Sequence, residues 1–170
     1  MSGEPISSLP AGLIPQKLTF AQISKLLEST KWADALSGKE VETLSKYLRV
    51  GTAEKGTVLV REGSREAYLC LLIEGKVNVM KEGESGAPQE LGSIGPGRTF
   101  GEMSLIDGEP RSASVVAEER TTLVVLTGDG FASLSLEVPR LAMKVLLKIS
   151  KLLSQRLRQT SGALVDELGG

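Results

Sequence analysis

The residues with the clearest chemical potential lie between positions 96 and 113, in the run PGRTFGEMSLIDGEPRSA. This run contains a glycine-rich turn, one glutamate followed by a segment able to form a helical turn, and one arginine that comes after a proline. Small uncharged residues let backbone N–H groups approach a ligand oxygen closely. Four such residues flank the two charged ones: Gly101, Ser104, Ser112 and Ala113.

The two charged residues, Glu102 and Arg111, predict complementary contacts with one ligand. Arginine presents a planar, two-pronged donor that suits a phosphate. A carboxylate would repel a phosphate, so we expect Glu102 to accept hydrogen bonds from a sugar hydroxyl. If 102–106 forms a helical turn, its first N–H groups add to the anion site. Each residue alone fits an ordinary turn or surface charge, but together they favour a small anion with a phosphate and a hydroxylated sugar.

The run FGEMSL at 100–105, followed by RSA at 111–113, closely resembles the phosphate-binding cassette of cyclic nucleotide-binding domains. The resemblance covers roughly residues 30 to 160, and glycines fall where that family places its β-turns, at Gly56, Gly63 and Gly75. It implies a cyclic nucleotide as the ligand, cAMP first and cGMP second, with no metal and no catalytic residue. By the same resemblance, Glu102 binds the ribose 2′-hydroxyl and Arg111 the cyclic phosphate, assisted by neighbouring residues of the cassette: Gly101, Met103, Ser104, Ser112 and Ala113.

A second stretch, RLRQTS at 156–161, resembles the end of the dimer helix in catabolite-activator proteins. There a threonine and a serine reach the adenine, one of them from the opposite subunit, which makes Thr160 and Ser161 candidate base-binding residues. Hydroxyls donate and accept, so they can contact adenine or guanine. Alternatively, these two residues merely end a helix before Gly162. Ser112 is a further selectivity position, since a hydroxyl after the arginine can touch guanine.

Composition excludes several classes of function. The chain has 170 residues, a net charge of −1 and no histidine. Histidine-based catalysis, Ser-His-Asp triads and histidine metal sites are therefore excluded, and an enzyme on a cupin-like barrel becomes remote. The single cysteine, Cys70, lies in an apolar run, which predicts a buried thiol and fits a reducing cytosol. With no signal peptide and no long apolar segment, we expect a cytoplasmic protein that does not contact a membrane.

The patterning predicts a mainly β fold with flanking helices (α+β). Thr19 and the pair Ser37 and Glu40 mark the starts of two helices. Short β-type runs separated by glycine turns follow, at 58–60, 68–73, 77–80, 89–94, 114–116 and 123–126. Such strands indicate a sandwich or a jelly-roll (double-stranded β-helix) barrel. We divide the chain into a flexible arm (1–18), N-terminal helices (19–50), the cyclic nucleotide-binding barrel (51–127), and a C-terminal hinge with a dimerisation or lid helix (128–170).

The C-terminal region returns to helical periodicity. A short helix around 131–136 ends at Pro139, where a long helix begins, and two apolar stripes follow along it. One stripe has the coiled-coil spacing and contains Leu146, Ile149, Leu153, Leu157, Thr160, Leu164 and Leu168. The second stripe lies about a quarter-turn away and contains Leu141, Val145 and Leu152. We expect one stripe to pack on the barrel and the other to form a parallel homodimer. A single wide stripe facing the core is the alternative.

The opposite face of the long helix is basic, with Arg140, Lys144, Lys148, Lys151 and Arg158. A solvated face is the favoured interpretation over nucleic-acid contact. The sequence stops at position 170 without the helix-turn-helix of transcription-factor members, so we expect no direct sequence-specific DNA binding and an unknown downstream protein. The alternative function is a structural or dimerisation module whose pocket is empty or binds a cyclic dinucleotide.

Overall fold

The computed structural model describes residues 9–169 and places two antiparallel sheets between flanking helices. Strands are numbered in chain order. The first sheet has the order β1 (Ile14–Pro15), β2 (Arg49–Ala53), β9 (Thr121–Thr127), β4 (Tyr68–Glu74) and β7 (Thr99–Phe100). The second has the order β3 (Val58–Val60), β8 (Ser114–Ala117), β5 (Val77–Glu82) and β6 (Pro88–Ile94). This arrangement confirms the predicted α+β fold with a jelly-roll β-sandwich.

Strands β4 and β9 form the centre of the molecule because their apolar runs are buried on both faces. Alternate residues face opposite sides of a sheet. One set, including Cys70 and Leu123, packs between the two sheets in what we call the sandwich core. The other set, including Leu71 and Val124, packs against the helices in the helical core. Burial raises the pKa of the Cys70 thiol to about 12, and the predicted buried thiol is confirmed.

Two short helices precede the sandwich, and both begin where their caps predict. Helix α1 (Phe20–Glu28) starts after a capping box made by Thr19, and α2 (Gly38–Ser45) after one made by Ser37 and Glu40. A single turn of 3-10 helix (Lys31–Ala33) lies between them and buries Trp32 in the helical core. Three further helices follow: α3 (Glu102–Asp107), α4 (Gly128–Glu137) and α5 (Pro139–Gly169).

The predicted flexible arm is corrected over its second half. Residues 1–8 lie outside the described part of the chain. Beyond them, β1 pairs with β2, so that Ile14 lies opposite Thr52. Leu13 is buried in the sandwich core, and the apolar contact of this side chain attaches the segment to the domain.

Helix α5 packs on the domain mainly along its first half. Its first half is buried in the helical core through Leu141, Ala142, Val145 and Ile149. From 154 to 169 every residue is exposed except Arg156, which is half-buried. We expected one stripe to pack on the barrel and the other to face a partner helix. The structure does not separate them in this way, because Ile149 packs on the domain whereas residues of the same stripe further along are exposed. No helix within residues 9–169 has the length and apolar character needed to cross a membrane.

Candidate functional site

A cavity of about 240 Å³ opens beside α3, between β7 and the start of β8. Phe100 and the side chains of β3, β5, β6 and β8 provide its apolar wall, while 101–104 and 109–113 provide its polar rim. The structure brings all seven candidate residues of the cassette to this one cavity: Gly101, Glu102, Met103, Ser104, Arg111, Ser112 and Ala113.

Gly101 joins β7 to α3 and fixes the direction of the cassette. Its φ of 86° lies in the left-handed region that favours glycine. A Cβ at this position would lie 2.5 Å from the Tyr68 carbonyl oxygen and 2.8 Å from Nη1 of Arg111. Any other residue would displace the arginine, so this glycine sets the close packing of the turn against Arg111.

Arg111 is a buried cation held by uncharged groups. Its side chain is 5% exposed, Nη1 donates to the Gly101 carbonyl at 2.8 Å and Nη2 to the Tyr68 carbonyl at 2.9 Å. The guanidinium lies 4.5 Å from the centre of the Tyr68 ring, a cation–π distance. Its Nε is buried without a hydrogen-bond partner, and no carboxylate among residues 9–169 lies within ion-pair distance. Because a buried charge without a counter-ion is costly, this arrangement favours an anionic ligand.

The Tyr68 hydroxyl supports this arrangement as a neutral group. It donates to the Leu59 carbonyl at 2.6 Å, and burial raises its pKa well above the ordinary value against an opposing effect of Arg111. The ring therefore stays uncharged and presents its face to the guanidinium.

Glu102 is the second buried charge of the site and has a partner that sequence reasoning missed. Its carboxylate is 2% exposed, and Oε1 accepts a hydrogen bond from Nη1 of Arg156 on α5. Nη2 of the same arginine donates to the Thr99 carbonyl at 2.7 Å. Oε2 accepts no hydrogen bond from the described residues, and Glu102 lines the cavity. The signal that could have found this partner is that a fully buried glutamate requires a cation. The cation, Arg156, lies 54 positions further along the chain.

Arg156 also lines the cavity and ties α5 to the cassette. Burial, followed by the positive charge of nearby Arg98, lowers the pKa of Arg156. An arginine remains protonated at neutral pH despite such a shift. The position of α5 is thus linked to the carboxylate of Glu102 through one charged contact.

Two further contacts hold the cassette in shape. The Ser104 hydroxyl donates to the Glu109 carbonyl at 3.1 Å, which closes the loop after α3. Lys81 on β5 donates to the Ser112 carbonyl at 2.8 Å. Lys81 is a second residue that the sequence did not single out, and its ammonium group also pairs with Glu62 at 3.8 Å.

The two candidate base-binding residues lie outside the cavity of their own chain. Thr160 and Ser161 are exposed on α5, and the Thr160 hydroxyl donates to the Arg156 carbonyl at 3.0 Å. Thr160 follows Arg156 by about one helical turn. Both side chains can therefore approach a ligand only if the distal part of α5 moves, or if they serve a neighbouring subunit.

Comparison with known proteins shows which family the chain resembles. Residues 51–137 match the family model described as cyclic nucleotide-binding domain. The chain is 33% identical over 124 residues to the cyclic AMP receptor protein of Thermus thermophilus, covering 73% of this chain and 56% of that protein. It is 32% identical over 149 residues to a cyclic nucleotide-gated potassium channel of Mesorhizobium japonicum, covering 84% of this chain and 40% of the channel. The chain thus spans about half the length of these curated relatives.

Solved structures show the same similarity. A cyclic nucleotide-binding domain from Methylobacillus flagellatus superposes with a TM-score of 0.79 at 33% identity, covering 92% of this chain and 89% of that one. The Thermus thermophilus catabolite activator protein superposes with a TM-score of 0.67 at 32% identity, covering 78% and 60%. The chain therefore belongs to the cyclic nucleotide-binding domain family.

Proposed function

We propose that this protein is a receptor for a cyclic mononucleotide, with cAMP preferred over cGMP, and that it signals through the position of α5. The observation that carries the proposal is Arg111, a buried guanidinium with an unpaired Nε and no carboxylate partner among residues 9–169, at a cavity that also contains Glu102. A phosphodiester supplies the missing negative charge, and its ribose supplies a hydroxyl for Glu102. The proposed role is sensing rather than catalysis.

The two charges divide the ligand between them. Arg111 binds the cyclic phosphate as a charge-assisted donor, and the backbones of Gly101, Ser112 and Ala113 line the same end of the cavity. Oε2 of Glu102 accepts the ribose 2′-hydroxyl. Arg156 neutralises Glu102 through Oε1, which reduces the repulsion between that carboxylate and the bound phosphate.

The contact between Arg156 and Glu102 supports an output through α5. A ligand shifts a conformational equilibrium only as far as it binds one state better than another. Because Arg156 belongs to α5 and Glu102 to the ribose end of the cavity, ligand binding favours the helix position in which both contacts are made. The reverse also holds, so that fixing α5 in that position strengthens ligand binding.

The preference for cAMP and the homodimer are linked in this proposal. Exposed apolar side chains on distal α5, Leu157, Leu164 and Leu168, have the spacing of a parallel helix pair. Such a pair brings Thr160 and Ser161 of one subunit towards the cavity of the other, where their hydroxyls contact adenine. The name of the Thermus relative, a cyclic AMP receptor protein, agrees with this ligand. A free thiol as the only cysteine agrees with a cytosolic location.

Calorimetric titration with cAMP, cGMP and 2′-deoxy-cAMP tests the proposal. We expect saturable binding of one cAMP per chain, weaker binding of cGMP, and weaker binding of the 2′-deoxy ligand because Glu102 loses its partner. The absence of heat with both cAMP and cGMP would overturn the receptor proposal and favour a structural module. Equal affinity for cAMP and its 2′-deoxy form would contradict the role of Glu102 alone.

A further inference from the structure

A second cavity of about 210 Å³ lies on the other side of Arg156, between α5 and the turn before β7. Trp32, Arg98 and Gln159 contribute to its walls, and no acidic side chain lines it among the described residues. Arg156 is the one residue that lines both this cavity and the cavity beside α3. The second cavity is therefore electropositive and touches the nucleotide site through a single side chain.

The positive charges around this cavity exceed the negative charges available to them. Arg98 has an exposed side chain that makes no hydrogen bond or ion pair with the described residues, whereas Arg156 shares the one buried carboxylate nearby, Glu102. Lys148 does not line the cavity, but its Nζ lies 6.0 Å from the centre of the Trp32 ring and donates to the Lys31 carbonyl at 3.2 Å. Neighbouring like charges repel, and the effect of Arg98 on the pKa of Arg156, which it lowers, has the sign of that repulsion. An anion in the cavity would remove it.

We propose that the second cavity binds a phosphate-type oxyanion and that this anion weakens cyclic nucleotide binding. The guanidinium groups of Arg98 and Arg156 provide planar forked donors for the oxyanion, and the amides of Gln155 and Gln159 provide further N–H groups at the rim. Free inorganic phosphate and small phosphate monoesters share this chemistry. The binding part of the proposal is independent of the proposed function, whereas the weakening of nucleotide binding rests on it.

The sign of the coupling follows from charge. Arg156 has five N–H donors, and two of its contacts are with Glu102 and the Thr99 carbonyl. An oxyanion competes with Glu102 for the charge of Arg156, and it also places negative charge near the phosphate of a bound cyclic nucleotide. Both effects oppose nucleotide binding. By reciprocity the nucleotide weakens binding of the oxyanion by the same factor.

The only tryptophan of the chain, Trp32, lines the cavity and provides the measurement. Its fluorescence is followed while sodium phosphate, or glycerol phosphate as the monoester, is added against sodium chloride at equal ionic strength. We expect a saturable change with phosphate and none with chloride. Arg98→Gln should weaken phosphate binding by about 10-fold or more, as expected for loss of a charge-assisted contact. Arg120→Gln, which changes an exposed arginine paired only with Glu54, should leave it unchanged.

Variants of the first cavity show where the phosphate binds. Arg111→Met removes its cation and Ala113→Leu fills part of its space, and at least one of the two should fold as judged by thermal unfolding. Saturation that persists in a folded variant supports the second cavity. Saturation that disappears there would place phosphate in the first cavity and overturn the proposal, as would an unchanged response in Arg98→Gln or no saturation in wild type. Glycerol phosphate distinguishes a phosphate monoester from free phosphate as the ligand. Tighter binding of glycerol phosphate than of inorganic phosphate would assign the site to an esterified ligand.

Calorimetry then tests the coupling. Titration of cAMP in phosphate and in chloride should give a few-fold weaker affinity in phosphate, and Arg98→Gln should abolish that difference. Equal affinities in the two salts would contradict the coupling while leaving the phosphate site intact. If the protein binds no cyclic nucleotide at all, the receptor proposal fails, but the fluorescence experiment still decides the second cavity.

Discussion

The cassette around α3 and the distal half of α5 both reverse the usual placement of residue types, in opposite directions. In the cassette two charged side chains are buried, with Glu102 only 2% exposed. On distal α5 apolar side chains are in solvent, with Leu157 67% exposed. Charged residues are rarely buried without a partner, and a line of exposed apolar residues indicates an interaction surface. One region therefore predicts an anionic ligand and the other an apolar partner.

The two regions differ in how far contacts within one chain hold them in shape. Glycine packing, carbonyl contacts to Arg111 and the bond from Ser104 hold the cassette in shape within one chain. Apart from hydrogen bonds within the helix, the described polar contacts of distal α5 are those of Arg156 with Glu102 and with the Thr99 carbonyl. We therefore expect variants of the cassette and of Arg156 to change ligand affinity at constant assembly. Variants of the exposed apolar stripe on distal α5 should change assembly at nearly constant affinity.

Arg111→Ala should have the largest effect. It removes the proposed phosphate donor and leaves the ligand's phosphate underpaired, which costs about 2–5 kcal/mol, or roughly 30- to several-thousand-fold in affinity. Arg111→Lys should recover only part of the loss because an ammonium group lacks the planar fork. Calorimetry with cAMP measures both, and Arg120→Ala serves as a surface control. Wild-type affinity in a folded Arg111→Ala protein would refute the site.

Glu102→Gln should come next, with a loss of about 1.5–3 kcal/mol, or roughly 10- to 150-fold, for a charge-assisted hydrogen bond. The variant keeps the shape of the side chain, and Arg156 can turn towards solvent because its side chain is already 38% exposed. Wild type should prefer cAMP to 2′-deoxy-cAMP, and the variant should bind them almost equally. A variant that discriminates as strongly as wild type would show that Glu102 does not contact the 2′-hydroxyl.

Arg156→Met should have a smaller effect, about 1–2 kcal/mol or roughly 5- to 30-fold, since a half-exposed ion pair is worth less than a buried one. The substitution leaves the Glu102 carboxylate uncompensated beside the bound phosphate. In a Glu102→Gln background the same change should cost little, because the charge that Arg156 neutralises is gone. Arg158→Met, two residues further on an exposed face, is the matched control. Equal losses in both backgrounds would mean that Arg156 acts independently of Glu102.

The sequence predicted the parts of this fold that depend on neighbouring residues. The helix starts at Thr19 and Ser37 are local hydrogen-bond patterns, and both are confirmed. Strand β2 was not predicted, because its sequence RVGTA has no clear alternation and it forms by pairing with β9, about seventy positions later. The two-residue strand β7 likewise exists through its pairing with β4.

The cassette could be located from the sequence because its residues lie within about twenty positions, whereas the contact between Glu102 and Arg156 could not. That contact depends on where α5 crosses β7, which no local pattern encodes. The same limit applies to the α5 stripes. Ile149 and Leu157 share one stripe, yet the first is buried and the second exposed because the domain ends between them. Periodicity shows which face a residue occupies, but not how far the surface beneath that face extends.

The last prediction concerns assembly and should change affinity least. The double variant Leu157→Glu, Leu164→Glu places charges on the exposed stripe, so it should shift the protein from dimer to monomer in sedimentation measurements. Both side chains are exposed and outside the helical core, so we expect the unfolding temperature to be retained. The Arg156 contact remains, so cAMP affinity should fall only through loss of the hydroxyl contacts that the dimer brings to the adenine, by about threefold or about 0.6 kcal/mol. The preference for cAMP over cGMP should shrink with it.

Lys151→Glu, which adds the same sign of charge away from the stripe, should leave the dimer intact. We choose Leu164 rather than Leu153 because Leu153 packs against the helical core, where a charge would destabilise the domain itself. A wild type that is monomeric with and without cAMP at high micromolar concentration would contradict the dimer. In that case distal α5 could cover its apolar residues only against the ligand and cavity of its own chain. The two glutamate substitutions would then lower cAMP affinity instead of altering assembly.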